Sequence, residues 1–212
     1  MKPKRELLEK SRLYAIIDKE TCANTPIREI ANKLKKSETD IVQYRDKSSA
    51  KEVILKEAQR LGKIFSKKQI LFIINDYLDI AKIADSDGVH LGQDDISLGT
   101  ARKILGKDKL IGISCHSLEQ AKRAQKDGAD YISIGPVFAS ATKPEYKPVG
   151  PSLIKKLKGK SKIPFFAIGG IKPANLAGVL SCGAKRVALC SAVCRGKNTL
   201  IEAKKISRIL HR

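Results

Sequence analysis

Eight short apolar runs, each separated from the next by a stretch of helical patterning, constrain this chain more than any other feature. They are Arg12–Ile17, Ile41–Tyr44, Ile70–Ile74, Gly88–Leu91, Leu110–Ile113, Tyr131–Ile134, Ile163–Ile168 and Arg186–Cys190. Runs this brief and this uniformly apolar are the signature of parallel strands covered on both faces.

The segments between them carry helix punctuation. Ser49-Ala-Lys-Glu52 and Ser117-Leu-Glu-Gln120 both read as capping boxes, with an acceptor at the helix start and a reciprocal partner three residues on. The second helix is expected to stop at Asp127-Gly128, where glycine allows a left-handed end. Pro173 suits the first position of a helix holding Leu176, Val179 and Leu180 that ends near Gly183. Asn198–Leu210 supplies a last helix.

Eight strands alternating with helices in 212 residues have one economical solution, a single-domain (βα)8 TIM barrel. Residues 1–11 form an N-terminal extension or short helix ahead of it. A doubly wound open sheet would need its crevice at one switch point, whereas here polar residues follow nearly every run. No Pro/Gly/Ser linker divides the chain.

Composition adds a charge to this frame. With 42 Lys and Arg against 22 Asp and Glu the net charge is +20, which points to an anionic partner: nucleic acid, an acidic membrane or a phosphorylated small molecule. Runs such as Ile70–Ile74 fall far short of the roughly 20 apolar residues a membrane span needs. The basic start Met1-Lys-Pro-Lys-Arg-Glu6 leads into no apolar signal region, so export is not expected. Five scattered cysteines with no CxxC spacing read as reduced thiols of a cytoplasmic protein rather than a zinc site.

In a barrel the chemistry sits at the C-terminal ends of strands and in the loops after them. After the second run stands Gln43-Tyr44-Arg45-Asp46-Lys47, where alternation puts Gln43, Arg45 and Lys47 on one face. Two cations and an amide there suit a diphosphate, with arginine supplying a two-pronged fork, although a strand end with salt bridges to Asp46 fits equally. Asn75-Asp76 and Gly92-Gln93-Asp94-Asp95 follow the third and fourth runs. Asp76 and Asp95 could share one Mg²⁺, which takes few carboxylates plus phosphate oxygens, or each could cap a helix. Ser114-Cys115-His116 follows the fifth run; His116 is either a general acid/base or a structural residue before the cap. Ser140-Ala141-Thr142-Lys143 lies on a long loop beginning Gly135-Pro136 and suits a phosphate-covering lid, with Lys143 at the substrate. Gly169-Gly170 and Ser191 follow the last two runs, where this fold commonly cradles phosphate on backbone amides.

With these residues the sequence resembles the thiamine-phosphate synthase family from about Leu13 to Ser191. The matching stretches are Gln43–Lys47, Ile74–Asp76, Asp87-Gly-Val-His-Leu-Gly-Gln-Asp-Asp95, Ile111–His116, Gly135-Pro-Val-Phe138 with Thr142-Lys-Pro144, and Ile168–Ile171. The Gly-Val-His-Leu-Gly-Gln segment with its following acids is the specific one. The resemblance implies a transferase that couples a hydroxymethylpyrimidine diphosphate with a thiazole phosphate, releasing diphosphate. It implies that Gln43, Arg45, Lys47, Asn75, Ser114 and Lys143 surround the pyrimidine diphosphate, with Arg45, Lys47, Ser114 and Lys143 acting in catalysis. Tyr44, Asp46 and Ala141 would belong to the same substrate-binding set. Asp76 and Asp95 would hold Mg²⁺, and Ser140, Thr142, Gly170, Cys190 and Ser191 the thiazole phosphate. The family pattern Thr-x-Thr-Lys is here Ser140-Ala-Thr142-Lys143, which keeps the hydroxyl and loses a methyl.

Two other readings stand beside this one. A sister barrel, the thiazole tautomerase, would use His116 as proton shuttle without a metal pair. A nucleic-acid-binding protein would use the charge, but the chain has no Trp, few Tyr and Phe, and no zinc-finger or ribonucleoprotein motif. Lysine-rich stretches such as Lys33–Lys36 and Lys155–Lys162 fall in helices, which in a barrel form the solvated outer wall. Small-molecule substrates, with no nucleic acid and no membrane, are therefore the expected partners.

Overall fold

In the computed structural model, which describes residues 4–22, 25–66, 69–140, 146–195 and 199–211, each apolar run becomes a strand paired in parallel with its neighbours. The strands are β1 (Leu13–Asp18), β2 (Ile41–Arg45), β3 (Leu71–Asn75), β4 (Gly88–Leu91), β5 (Leu110–Cys115), β6 (Tyr131–Ile134), β7 (Phe165–Ile168) and β8 (Val187–Leu189). They close in sequence order, β8 pairing with β1, so no sheet edge is left open. The helices are α1 (Lys4–Lys10), α2 (Lys19–Cys22), α3 (Ile27–Lys35), α4 (Lys51–Phe65), α5 (Leu78–Ile83) and α6 (Leu98–Leu105). They continue as α7 (Leu118–Lys126), α8 (Pro151–Leu157), α9 (Pro173–Ser181), α10 (Ser191–Cys194) and α11 (Thr199–Leu210).

Alternation along each strand builds two cores. Residues facing outward, among them Leu13, Val42, Tyr44, Ile74, Val89, Ile111 and Ile132, pack with the inner faces of the helices. Residues facing inward, Tyr14, Ile16, Ile41, Leu71, Ile73, Leu110, Tyr131, Phe166 and Ala188, fill the barrel itself. Leu8 of α1 joins that inner cluster. Helix α1 is tied to the N-terminal end of the barrel by Arg5 to Asp130 at 3.0 Å and Lys4 to Asp87 at 3.4 Å. The opposite, C-terminal end is left for the site.

Helix ends follow the sequence in most places. Ser117 caps α7, its hydroxyl accepting from the Gln120 N–H at 3.1 Å, and α7 gives way to Asp127 and a left-handed Gly128. The Gln120 side chain reaches back to the N–H of His116, one residue before the cap. Pro173 opens α9, and α9 ends before Gly183. Ser49 does not cap α4, whose N-cap is Ala50 with no side-chain bond. Asp46 intervenes: its carboxylate accepts from the N–H groups of Ser48 at 3.1 Å and Ser49 at 3.0 Å, forming a turn that the helix follows. Neither Asp76 nor Asp95 is a helix cap; Tyr77 precedes α5 and Ser97 caps α6.

Candidate active site

At the C-terminal end of the barrel an open cavity is lined by residues from β1 to β8 and the loops that follow them. Gln43, Arg45, Asn75, Ser114, His116, Ser140, Gly170, Cys190 and Ser191, all singled out in the sequence, lie in its wall. So do Ile16, Asp18, His90 and Ser133, which the sequence analysis left without a role.

Strand β2 places Gln43 and Arg45 on the inner face. Arg45 forms an ion pair through Nη1 with Oδ2 of Asp18, the register partner of Arg45 on β1. Asp18 is itself held, accepting from the Thr21 N–H at 2.8 Å and the Thr21 hydroxyl at 2.6 Å. The guanidinium carries five donors in a rigid fork, so a partner at one Nη fixes the plane of the rest. The intervening residues point the other way. Tyr44 is buried against the helices and its hydroxyl donates to Asp46 at 3.1 Å. Asp46 is buried beneath the Ser48–Ser49 turn, with Lys19 at 3.4 Å. Both support this strand end, and Tyr44, Asp46, Lys47, Asp76 and Asp95 are all outside the cavity wall itself.

Lys47, Asp76 and Asp95 come together at the ends of β2, β3 and β4. Lys47 Nζ lies 3.0 Å from Asp76 Oδ2. Burial pushes the Asp76 carboxyl up from its ordinary value; Lys47 opposes that, and the hydrogen-bonded Asp95 carboxyl adds to it. Asp76 also adopts a left-handed backbone, φ 60°, which is costly for a non-glycine residue and concentrates at functional sites. Asp95 Oδ2 accepts from the Gly92 N–H at 2.6 Å, which fixes the carboxylate over the β4 turn. Two hard oxygen donors held against each other suit a small divalent cation that takes one or two carboxylates and completes its shell with water and phosphate oxygens. Among the described residues no cluster of three or more His, Cys, Asp or Glu side chains is placed to hold a metal ion.

The loops after β6 to β8 form the other side. His116 Nδ1 donates to the Gly135 carbonyl at 2.5 Å, and its ring stacks on Tyr146 at 4.6 Å, pinning the loop after β6. Ser140 lines the cavity; Ala141, Thr142 and Lys143 lie outside the described residues. Gly169 and Gly170 have φ of 99° and 62°. What glycine admits there is the β6 loop: a Cβ on Gly170 would sit 2.6 Å from the Ala139 carbonyl, and one on Gly169 2.4 Å from Pro136. The two glycines thus hold the β6 loop against β7 while their own backbone faces the cavity. Cys190 packs against Thr21, its sulfur 3.9 Å from the hydroxyl. A hydrogen bond with Cys194, together with burial, pushes its thiol well up, so the wall stays uncharged here.

Below Arg45 the barrel interior turns polar. Gln43 Nε2 donates to the Tyr14 hydroxyl at 2.6 Å, and Tyr14 meets the Tyr131 hydroxyl at 3.0 Å. Tyr131 lies 3.2 Å from Nδ1 of His90, whose Nε2 lies 3.0 Å from the Ser114 hydroxyl. Each is a polar residue within an apolar run, which is the signal the sequence offered for them.

A closed parallel barrel that gathers Arg45 and Lys47 with Asp18, Asp76 and Asp95 at its strand ends, beside glycine turns after β7, defines the class as a (βα)8 enzyme. Residues 13–193 match the thiamine monophosphate synthase family, and the chain belongs to that family of transferases. It is 42% identical over 183 residues to the thiamine-phosphate synthase of Shouchella clausii, covering 86% of this chain and 88% of that one. With the enzyme of the same description from Halalkalibacterium halodurans it shares 43% over 183 residues, covering 86% and 87%. The solved structure of thiamine phosphate pyrophosphorylase from Pyrococcus furiosus superposes with a TM-score of 0.88 at 29% identity, covering 98% and 97% of the two chains.

Proposed function

We propose that the chain couples 4-amino-2-methyl-5-hydroxymethylpyrimidine diphosphate to a thiazole phosphate, giving thiamine phosphate and diphosphate with Mg²⁺ as cofactor. Thiamine-phosphate synthesis is the activity named for its relatives at this level of similarity. The residue roles are our reading of the geometry, and the observation that carries them is that the ends of β2 to β4 gather Arg45, in the cavity wall, with Lys47 and the hydrogen-bonded Asp76–Asp95 pair beyond it.

Arg45, oriented by Asp18, and Lys47, beside Asp76, receive the diphosphate of the pyrimidine substrate. Lys143 is assigned to the same diphosphate on its position after Ser140 in the sequence. Asp76 and Asp95 would hold Mg²⁺, which when bound supplies positive charge to the leaving diphosphate oxygens. Gln43, Asn75 and Ser114 surround the ring, and Gly170, Cys190 and Ser191, with Ser140 and Thr142, take the thiazole phosphate. Ala141 contributes backbone between those two hydroxyls.

The C–O bond to diphosphate breaks first, the electron pair leaving with the oxygen. The electron-rich aminopyrimidine carries the resulting methylene cation, and the thiazole nitrogen donates its lone pair to form the new C–N bond. No protein nucleophile takes part. The side chains contribute charge stabilisation of the departing group and alignment of the two rings.

Free cysteines support a cytoplasmic enzyme, and a cavity walled by Arg45, Asn75 and Ser114 supports small-molecule partners with no nucleic-acid role. Among the described residues no helix is long and apolar enough to cross a membrane. Surface lysines are partly matched along their own helices, as in Lys33 with Glu29 at 2.7 Å and Lys10 with Glu6 at 2.6 Å. The test is diphosphate release from the two substrates with and without Mg²⁺, using wild type and Asp76→Ala. Release that needs both substrates and Mg²⁺, and falls about 100-fold or more in Asp76→Ala at saturating metal, is expected. Wild-type turnover in Asp76→Ala would reject the metal assignment.

A further inference from the structure

The inside of a (βα)8 barrel is ordinarily filled with branched aliphatic side chains. Here two tyrosines and a histidine occupy it, and the space for them is built in. His90, Gly112 and Tyr131 are register partners across β4, β5 and β6. A Cβ on Gly112 would lie 2.1 Å from Tyr131 Cζ, so the missing side chain is what lets the Tyr131 ring lie across β5 and reach His90. Phe166 brackets the two tyrosines edge-on, at 5.3 Å from Tyr14 and 5.8 Å from Tyr131.

One direction through these hydrogen bonds gives every proton an acceptor. Burial pushes both phenols well above their ordinary value, so each keeps its one proton. Gln43 Nε2 is a donor only, and it donates to Tyr14. Geometry allows either direction between the two phenols; the one that gives the Tyr14 proton an acceptor has Tyr14 donating to Tyr131, and Tyr131 to Nδ1 of His90. With Nδ1 an acceptor, the neutral ring carries its proton on Nε2 and donates to Ser114. Ser133 reinforces that end, 3.3 Å from His90 Nε2 and donating to Ser114 at 3.5 Å. Ser114 therefore has its own proton to offer the cavity, while Gln43 has its amide oxygen to offer.

We propose that Tyr14, Tyr131 and His90 are positioning residues, a one-directional chain inside the barrel that presents Gln43 as an acceptor and Ser114 as a donor to the substrate ring. An aminopyrimidine edge is complementary to that pair, with an amino N–H beside a ring nitrogen that accepts. The inference rests on the pyrimidine diphosphate reading above, and it adds how the wall facing that ring is given its polarity.

Two measurements test it. Nitrogen-15 NMR of the ligand-free protein, which has only three histidines to assign, should find His90 neutral with its proton on Nε2. A proton on Nδ1 would reverse the chain and overturn the proposal without any reference to substrate. Tyr131→Phe keeps the packing ring and removes the hydroxyl. It should raise KM for the pyrimidine diphosphate about tenfold, leave KM for the thiazole phosphate within about twofold, and mix the His90 tautomers. Tyr14→Phe, cutting the chain nearer Gln43, should give the same split in KM. A merely structural role would lower the amount of active enzyme and move neither KM. Unchanged KM values in both variants, alongside an active wild type, would reject this inference alone. No diphosphate release by the wild type would reject the functional reading beneath it.

Discussion

Gly112→Ala sets two forces of opposite sign against each other. Glycine in a strand interior is entropically costly, so alanine there should stabilise by roughly 0.5–1 kcal/mol if backbone freedom decides. Packing predicts the reverse. The added Cβ would lie 2.1 Å from Tyr131 Cζ, 2.4 Å from Cε2 and 2.5 Å from the hydroxyl oxygen. The Tyr131 ring is fully buried and bounded by Tyr14 at 6.0 Å, Phe166 at 5.8 Å and His90 at 5.5 Å, so it has little room to withdraw. Overpacking of this kind costs about 1–3 kcal/mol. Moving the ring also breaks its bonds to Tyr14 and His90, worth about 1 kcal/mol each. Setting the backbone gain against these leaves a net loss of about 2–4 kcal/mol, and at about 2–4 °C per kcal/mol a fall in Tm on the order of 10 °C. Thermal and urea unfolding followed by circular dichroism measure it. In a Tyr131→Leu background, where the ring is gone, the same alanine should cost far less. Equal or higher stability in the single variant, or the same cost in both backgrounds, would refute the packing argument.

Three further outcomes follow from other contacts. Asp18→Asn removes the buried partner of Arg45 and should destabilise the fold by about 3 kcal/mol while raising KM for the pyrimidine diphosphate, readable by unfolding and steady-state assays. Gly170→Ala introduces a Cβ 2.6 Å from the Ala139 carbonyl at a left-handed position, displacing the β6 loop. It should raise KM for the thiazole phosphate more than for the other substrate. Ser117→Ala removes the α7 cap and should cost about 1 kcal/mol, lowering Tm by a few degrees with both KM values unchanged.

The architecture was legible because its signal is local. Apolar runs of strand length separated by capped helices specify a parallel barrel, and the strands fall within two residues of the expected bounds. Their ends moved for physical reasons. Pro164 keeps β7 from starting earlier because it has no N–H to donate, although its carbonyl still accepts from Ile132, and β1 extends one residue because Asp18 pairs with Arg45. The alternation that put Gln43 and Arg45 inward also put Tyr44 and Asp46 outward, so a motif contiguous in sequence is split between cavity and support. The capping motif at Ser49 misled because Asp46, three residues earlier, accepts from the Ser49 N–H that Glu52 would have taken in a capping box. What pattern could not reach was pairing across the barrel. Tyr14 and Tyr131 are 117 positions apart, and nothing at either position names the other. The +20 charge was equally uninformative as a total: Arg45 and Lys47 matter through the strand ends that hold them, beside Asp18 and Asp76.

The central claim is that one cavity joins two phosphorylated rings with loss of diphosphate. Its most direct test is to incubate the purified protein with both substrates and Mg²⁺ and quantify both products. The account predicts thiamine phosphate and diphosphate in equal amounts, and neither when one substrate is left out. Diphosphate without thiamine phosphate, or a thiazole that isomerises without being coupled, would contradict it.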